Sequence, residues 1–226
     1  MNWRRLIPNS ISSASLIFGV LSIFKTIEGD FFLAPVFIVI AVLFDSMDGR
    51  AARALGVGGG DFGKEMDSLC DMCSFGVAPA IMIYMYGLQD LGLVGQVIAA
   101  LFAVGCLRLA RFNCNTGVVH GYFQGMPIPA GACFLATYVV SGYQFAPAVL
   151  AAVTLVIACI MYSEVKFPDF KGKGNPMYRL PVIIAVIVGA VMLYERPGAW
   201  PFVAMFTYTL AGIVNHVYRA LTGKNK

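Results

Sequence analysis

Charged residues are scarce in this chain. Asp, Glu, Lys and Arg make up 12% of its 226 residues, whereas 59% of the residues are hydrophobic. Soluble domains carry about 25% charged residues, so the composition excludes an ordinary soluble protein and indicates an integral membrane protein. Long polar stretches are lacking too, since the longest runs only from Ser163 to Arg179. We therefore expect one membrane-embedded domain, residues 1–226, and no separate soluble domain.

Histidine clusters and paired cysteine motifs are also lacking. The chain has 2 His, which lie far apart as His120 and His216, and 6 Cys. Cys70 and Cys73 have the CxxC spacing, but no second pair or nearby His completes a zinc site. We interpret the cysteines as small packing residues of apolar helices. Nothing in the charge distribution suggests nucleic-acid binding.

Apolar runs fill most of the chain. A helix of about 20 residues crosses a hydrocarbon core of about 30 Å, and the runs have about that length. We predict an all-α polytopic bundle of about eight transmembrane helices, at residues 9–27, 31–55, 61–87, 92–114, 128–143, 145–163, 176–195 and 199–221. With both termini inside, all but two of the 16 Lys and Arg residues fall on the inner face. This follows the positive-inside rule and predicts a multi-pass cell-membrane protein with cytoplasmic termini.

Four aspartates interrupt the apolar pattern within one short run. The run reads Asp45-x2-Asp48-Gly49-x2-Ala52-Arg53-x9-Gly63-x3-Asp67-x3-Asp71. A carboxylate at the centre of a membrane helix costs roughly 2.5–3.5 kcal/mol and less near its end. Four of them need a compensating partner, for which a divalent metal is the obvious candidate. The run is therefore the candidate active site.

Helical spacing places the four carboxylates in two facing pairs. Asp45 and Asp48 are separated by three residues and share one helix face, and Asp67 and Asp71, separated by four, share another. The glycine-rich stretch 56–60 predicts a tight turn between the two helices. The run is therefore expected to form a helical hairpin that brings the pairs together.

Carboxylate oxygens of this kind suit Mg²⁺ or Mn²⁺. Two ions about 3.5–4 Å apart would clamp the attacking and leaving oxygens of a phosphoryl displacement. Arg53 lies one turn beyond Gly49, and its guanidinium suits a phosphate. The alternative is that buried acids form a proton or cation path, as in ion-coupled transporters.

The run resembles the signature of the CDP-alcohol phosphotransferase family, with every fixed position present. The resemblance implies that an alcohol displaces CMP from a CDP-linked substrate. It implies metal binding by the first three aspartates, and a general base in the fourth, Asp71, which also touches metal. It assigns Gly49 and Arg53 to the nucleotide substrate. It further suggests a homodimer.

Three further stretches resemble the branch of that family that transfers a phosphatidyl group from CDP-diacylglycerol to L-serine. They are residues 67–80, 108–113 and 123–130. The resemblance implies these two substrates at the cytoplasmic face of the membrane. Glycerol phosphate or an inositol phosphate is the alternative acceptor.

Two arginines suggest where the acceptor binds. Arg108 and Arg111 are three residues apart near the inner end of the fourth segment, and Asn113 follows them. Serine has a carboxylate that needs a cation, so one of these arginines is expected to bind that carboxylate or a phosphate. Anchoring by snorkelling cations is the alternative. Ser74 follows Asp71 on the same face and either orients a ligand or bonds the helix backbone.

Overall fold

The computed structural model describes residues 3–57, 61–114, 122–168 and 177–222. Its described part is a bundle of helices with one short two-stranded ribbon. The elements are α1 (Trp3–Ile27), α2 (Leu33–Ala54), α3 (Asp61–Asp71), α4 (Ala78–Ile83), α5 (Leu93–Gly105), α6 (Arg108–Cys114), β1 (Tyr122–Gln124), α7 (Ile128–Val140), α8 (Pro147–Tyr162), β2 (Lys166–Pro168), α9 (Arg179–Glu195) and α10 (Trp200–Leu221). Helix α3 continues into α4 through a π-helical segment, Met72–Val77, and a second π-helical segment, Tyr84–Leu88, follows α4.

All eight predicted segments contain helix, but the count of membrane spans remains a prediction. Among the described residues, four helices are long and apolar enough to cross a membrane: Leu6–Ile27, Phe62–Leu91, Leu93–Arg111 and Pro197–Leu221. Ile128–Val140 and Pro147–Tyr162 are apolar but shorter. Helix α2 has 22 residues, and charged residues crowd its C-terminal half.

Helices α1 and α2 pack through small residues. On α1 a buried polar stripe at helical spacing includes Ser15 and Ser22. Ser15 Oγ donates to the carbonyl of Ala41 at 3.1 Å, and Ser22 Oγ donates to the carbonyl of Ala34 at 2.8 Å. Small residues let membrane helices approach closely, and hydroxyls then bond across the interface. This pairing places the N-terminal half of α1 beside the acidic end of α2.

Helices α3 and α4 and the two π-helical segments form one continuous rod, Phe62–Leu91. The rod contains a π-turn directly after Asp71. The backbone N–H of Ala78 donates to the carbonyl of Cys73, five residues earlier, where an α-helix would use the fourth. The next residue, Pro79, has no N–H to donate, which suits an interrupted α-helical pattern. On the same segment, an added Cβ at Gly19 of α1 would lie 2.7 Å from the Cα of Ser74. The rod is therefore held tightly against α1 just above Asp71.

An aromatic cluster fills the core on the other side of the rod. The Tyr138 ring on α7 is 2% exposed. It stacks on Phe145 with ring centroids 4.9 Å apart and meets the edges of Tyr86 and Phe202 at 5.9 and 5.6 Å. The cluster joins α7 to the rod and to α10. All six cysteines are free thiols; Cys70 is buried and Cys73 is half-buried, whereas Cys114 and Cys159 are exposed.

The ribbon was not predicted from the sequence. Strands β1 and β2 pair antiparallel, with Phe123 opposite Phe167 and Gln124 opposite Lys166. Gly212 of α10 packs on the Phe167 ring, whose Cζ lies 2.6 Å from where an added Cβ would stand. The last helix pair is thereby docked onto the ribbon. Of the predicted glycine turn between α2 and α3, Gly56 adopts φ +65°, a conformation that glycine tolerates, and residues 58–60 lie outside the described part.

Candidate active site

The first acidic pair lies on the last turns of α2, facing the interior of the bundle. Asp48 is 7% exposed, whereas Asp45 is half-buried. The Oγ of Ser12, on α1, donates to Asp48 Oδ2 at 2.5 Å. This bond connects the N-terminal half of α1 to the acidic end of α2. Helix α1 therefore forms a wall of the site.

The second pair lies on α3 and meets the first, as the helical spacing predicts. Asp45, Asp67 and Asp71 each direct a carboxylate oxygen into one cluster, and these oxygens lie within 4.8 Å of one another. Asp48, of the first pair, lies close to Asp67, of the second. The hairpin thus brings all four acids together.

Like charges at this spacing repel strongly. Two unit charges 4.8 Å apart cost about 3 kcal/mol at an effective dielectric of about 20. Within the described part of the chain, no Lys or Arg nitrogen lies within 4.0 Å of the carboxylates of Asp48, Asp67 and Asp71. Three converging carboxylate oxygens are the hard donor set that Mg²⁺ and Mn²⁺ prefer. The residues present therefore fit a divalent cation.

The candidate nucleotide residues lie at the open end of this cluster. Gly49 is half-buried and Arg53 is exposed. A Cβ added to Gly49 would stand 3.5 Å from Arg53 Nη1, so the guanidinium extends over the glycine. On the opposite helix, a Cβ added to Gly63 would stand 3.6 Å from Asn9 Oδ1 of α1. Both glycines lie on the side of the acidic cluster nearest the turn between α2 and α3, which we call the mouth of the site, and neither has a side chain that would narrow it.

Ser74 lies away from the mouth of the site. It is 0% exposed, and its Oγ donates to the carbonyl of Ser15 on α1 at 3.1 Å. The hydroxyl therefore bonds the backbone of a neighbouring helix, where the sequence left a ligand or its own helix as the two options. In this arrangement Ser74 contributes to helix packing.

The residues predicted for the acceptor lie together on α6, and each bonds a neighbouring element. Arg108 Nη1 donates to the carbonyl of Met126 at 2.5 Å, and its Nη2 donates to the carbonyl of Gln124 at 3.1 Å. Arg111 Nη1 donates to the carbonyl of Tyr162 at 3.3 Å, and its guanidinium lies 5.5 Å from that ring centroid. These bonds brace α6 against the ribbon and α8.

Asn113 connects α6 to the acidic helix. Its Nδ2 donates to Ser68 Oγ at 2.8 Å, next to Asp67, and Lys64 Nζ donates to its carbonyl at 3.1 Å. The structure therefore places α6 beside α3 at the same end of the bundle as the acids. Each Arg has five N–H groups, more than the bonds of Arg108 and Arg111 to these carbonyls use.

Sequence reasoning assigned no role to α1, although Ser12 bonds Asp48 and Asn9 lies beside Gly63. A signal was present in the sequence. Polar or small residues recur on α1 at spacings of three and four, at positions 12, 15, 19, 22 and 26. Such a stripe in an apolar helix marks a face packed against other helices. The stripe does not reveal which helix it packs against. Ser12 matters because it meets Asp48 of α2.

Comparison with known proteins agrees with this geometry. The family model for CDP-alcohol phosphatidyltransferase matches residues 5–163. The chain is 32% identical to the CDP-diacylglycerol–serine O-phosphatidyltransferase of Helicobacter pylori strain J99, over 98% of this chain and 96% of that protein. It is 36% identical to the enzyme of the same name from Bacillus subtilis, over 73% of this chain and 91% of that protein. It is also 36% identical to the archaetidylserine synthase of Methanothermobacter thermautotrophicus, over 74% of this chain and 72% of that protein.

Proposed function

The chain belongs to the CDP-alcohol phosphatidyltransferase family, and we propose that it transfers a phosphatidyl group from CDP-diacylglycerol to the hydroxyl of L-serine. The products are phosphatidylserine and CMP. The observation that carries the proposal is the convergence of Asp45, Asp67 and Asp71 within 4.8 Å in the family's signature. The named activity of relatives aligned over nearly the whole chain supports serine as the acceptor.

Family membership decides between the two classes of function that the sequence left open. Its enzymes depend on divalent metals, and a metal accounts for the acidic cluster without any transport path. The membrane-embedded helices suit the lipid donor, because its two acyl chains can stay in the bilayer while the diphosphate enters the acidic site. The chain is accordingly an enzyme of phospholipid biosynthesis and a membrane protein.

Four carboxylates are proposed to hold the metal: Asp45, Asp48, Asp67 and Asp71. Their all-oxygen donor set fits Mg²⁺ or Mn²⁺, and we propose two ions. A bound divalent cation would neutralise the diphosphate of the donor and stabilise the leaving CMP. Arg53, exposed at the mouth, is proposed to bind a phosphate, and Gly49 beside it leaves room for the nucleotide to approach.

Asp71 is proposed as the general base. A serine hydroxyl is a poor nucleophile at neutral pH and needs a carboxylate within hydrogen-bonding reach. Asp71 accepts the hydroxyl proton while the serine oxygen forms a bond to the phosphorus that carries the diacylglycerol. The bond from that phosphorus to the bridging oxygen breaks, and the oxygen leaves with CMP. Asp71 suits this role because it lies one turn deeper than Asp67, beyond the mouth where the nucleotide enters.

The acceptor is proposed to bind on the α6 side of the cluster. Arg108 and Arg111 keep guanidinium donors beyond those bonded to carbonyls, and Asn113 lies beside Ser68 on the acidic helix. We propose that Arg111 binds the serine carboxylate, since it makes a single hydrogen bond at 3.3 Å, which is longer and weaker than the two bonds of Arg108. Arg108 and Asn113 hold α6 in place, and Ser74 acts through packing.

The arrangement in the membrane follows from charge. We propose one domain, 1–226, with eight spans, both termini and the active site in the cytoplasm, and assembly as a homodimer. The distribution of Lys and Arg supports the orientation. A C-terminal reporter that fluoresces only in the cytoplasm tests the orientation, and the mass of the solubilised protein tests the dimer.

The decisive experiment is CMP release from CDP-diacylglycerol by the purified protein with Mg²⁺ or Mn²⁺. Serine, glycerol 3-phosphate and inositol phosphate are compared as acceptors, with and without EDTA. We expect release that needs serine and that EDTA abolishes. Release with another acceptor alone would retain the chemistry and overturn serine, whereas no release with any of them would overturn the proposed reaction. For variants of the acidic cluster, Asp90→Asn is a matched control, since Asp90 is exposed and lies at the far end of the same rod, well beyond Asp71 in the sequence.

A further inference from the structure

The hydrogen bond from Ser12 to Asp48 is unusual among the hydroxyl contacts of α1. Ser13 Oγ bonds the carbonyl of Asn9 at 2.9 Å, and Ser15 Oγ bonds the carbonyl of Ala41 at 3.1 Å. Ser12 Oγ is 3.3 Å from the carbonyl of Pro8 but only 2.5 Å from Asp48 Oδ2. A hydroxyl has one proton to give, and the shorter distance assigns it to the carboxylate.

Both partners of this bond are shielded from water. Ser12 is 6% exposed and Asp48 is 7% exposed. A hydroxyl that donates to a carboxylate generally makes a stronger bond than one that donates to a carbonyl, and at this degree of burial water competes little for it. Asp48 belongs to the same hairpin as the three acids whose oxygens converge within 4.8 Å. Its carboxylate is held by a residue of another helix, Ser12 of α1.

We infer that Ser12 is a positioning residue that fixes the carboxylate of Asp48 for cation binding. The hydroxyl occupies Oδ2 and leaves Oδ1 for a ligand. The carboxylate of Asp48 is then already oriented before the cation binds, and no rotamer change is needed. The inference rests on the proposed metal site and adds a residue from α1, outside the aspartate run.

The magnitude follows from the behaviour of residues that orient metal ligands. Removing such a partner typically lowers metal affinity or activity by about 10–100-fold. We expect Ser12→Ala to weaken Mn²⁺ binding by that factor. Ser12→Thr keeps the hydroxyl and should bind Mn²⁺ within about threefold of the unaltered protein. A helix accommodates Thr in two χ1 rotamers, so the Thr hydroxyl can also be directed toward Asp48.

Ser15→Ala provides the matched control. Ser15 is a buried serine one turn further along the same helix face, but its hydroxyl bonds a backbone carbonyl of α2. Its loss removes a comparable contact between α1 and α2 and touches none of the carboxylates. We expect Ser15→Ala to lower thermal stability and leave Mn²⁺ affinity unchanged.

The test is a Mn²⁺ titration of the full-length protein in detergent, without lipid substrate, followed by calorimetry or by the electron paramagnetic resonance signal of free Mn²⁺. Weaker binding in Ser12→Ala, but not in Ser12→Thr or Ser15→Ala, supports the inference. Equal binding by Ser12→Ala and the unaltered protein overturns it, as does equal weakening in Ser12→Ala and Ser15→Ala, which would indicate packing alone.

Two further outcomes keep the test decisive. If Ser12→Ala does not fold, Ser12→Cys retains a side chain of similar size with a much weaker donor, and we expect it to lose Mn²⁺ affinity; normal affinity would overturn the inference. If the unaltered protein itself binds no Mn²⁺, the proposed metal site fails and the inference fails with it. If the unaltered protein and Ser12→Ala both bind Mn²⁺ normally, the inference about Ser12 fails and the proposed metal site stands.

Discussion

Two charged regions lie side by side at one end of the bundle, and their charges are handled in opposite ways. In the α2–α3 hairpin the carboxylates of Asp45, Asp67 and Asp71 converge on one another. On α6 the guanidinium groups of Arg108 and Arg111 turn to backbone carbonyls of other elements. The hairpin places like charges close together, whereas each arginine of α6 donates hydrogen bonds to backbone carbonyls.

The difference separates a ligand site from a scaffold. Converging carboxylates repel one another and raise the free energy of the site until a cation binds, so the hairpin favours cation binding. An arginine that bonds carbonyls stabilises the fold without a ligand, and any N–H groups left over can still bind one, as we propose for Arg111. Substitutions in the hairpin should therefore affect turnover and cation binding, whereas those on α6 should affect stability at Arg108 and the KM for serine at Arg111.

The largest effect is expected at Asp71. Asp71→Asn keeps the shape of the side chain and removes the base, and general base catalysis is typically worth about 10²–10⁴-fold. We expect turnover to fall by at least about 100-fold while CDP-diacylglycerol binding persists, as measured by CMP release and by binding of the labelled lipid. Loss of lipid binding as well would make Asp71 chiefly a metal ligand. Asp90→Asn should change neither quantity.

Arg108 should produce the next largest effect, and on stability. Arg108→Ala leaves the carbonyl of the fully buried Met126 without its donor, and an unsatisfied buried group costs about 1–3 kcal/mol. We expect a clear fall in the unfolding midpoint in detergent. The KM for serine should be nearly unchanged in the protein that stays folded. An unchanged midpoint with a raised serine KM would instead place Arg108 in the acceptor site and blur the contrast between the two regions.

Arg111 should have the smallest effect on stability and tests the boundary between the regions. It makes one long hydrogen bond and one cation–π contact with Tyr162, and such an exposed contact is worth about 0.5–1 kcal/mol. We expect Arg111→Ala to lower the midpoint only slightly and to raise the KM for serine more than that for CDP-diacylglycerol. The reverse order of the two KM changes would assign Arg111 to the lipid substrate.

Much of this arrangement could be predicted from the sequence because it depends on local periodicity. The spacing of Asp45 with Asp48 and of Asp67 with Asp71 predicts shared helix faces, and the glycines between them predict the hairpin. Apolar runs likewise predict helices at all eight segments. These features need only the repeat of an α-helix and the cost of charge in an apolar setting.

Contacts between segments distant along the chain could not be predicted in this way. Ser12 and Asp48 are 36 residues apart, and nothing in either local pattern indicates that they meet. The roles of Arg108 and Arg111 were open for the same reason, since the carbonyls of Met126 and Tyr162 have no sequence signature. Strands β1 and β2 have three residues each, too few for a period-two pattern to stand out.

The π-helical segment Met72–Val77 has a consequence for the direction in which the acids point. A π-turn holds one residue more than an α-turn, and one residue of an α-helix is about 100° of rotation. The acid-bearing and apolar parts of the rod are thus out of phase with each other, so no single helical wheel describes both. If the same six residues were wound as an α-helix, Asp67 and Asp71 would be rotated by about 100° relative to the packed half. The π-helical winding of the segment therefore helps to aim the second acidic pair at the first.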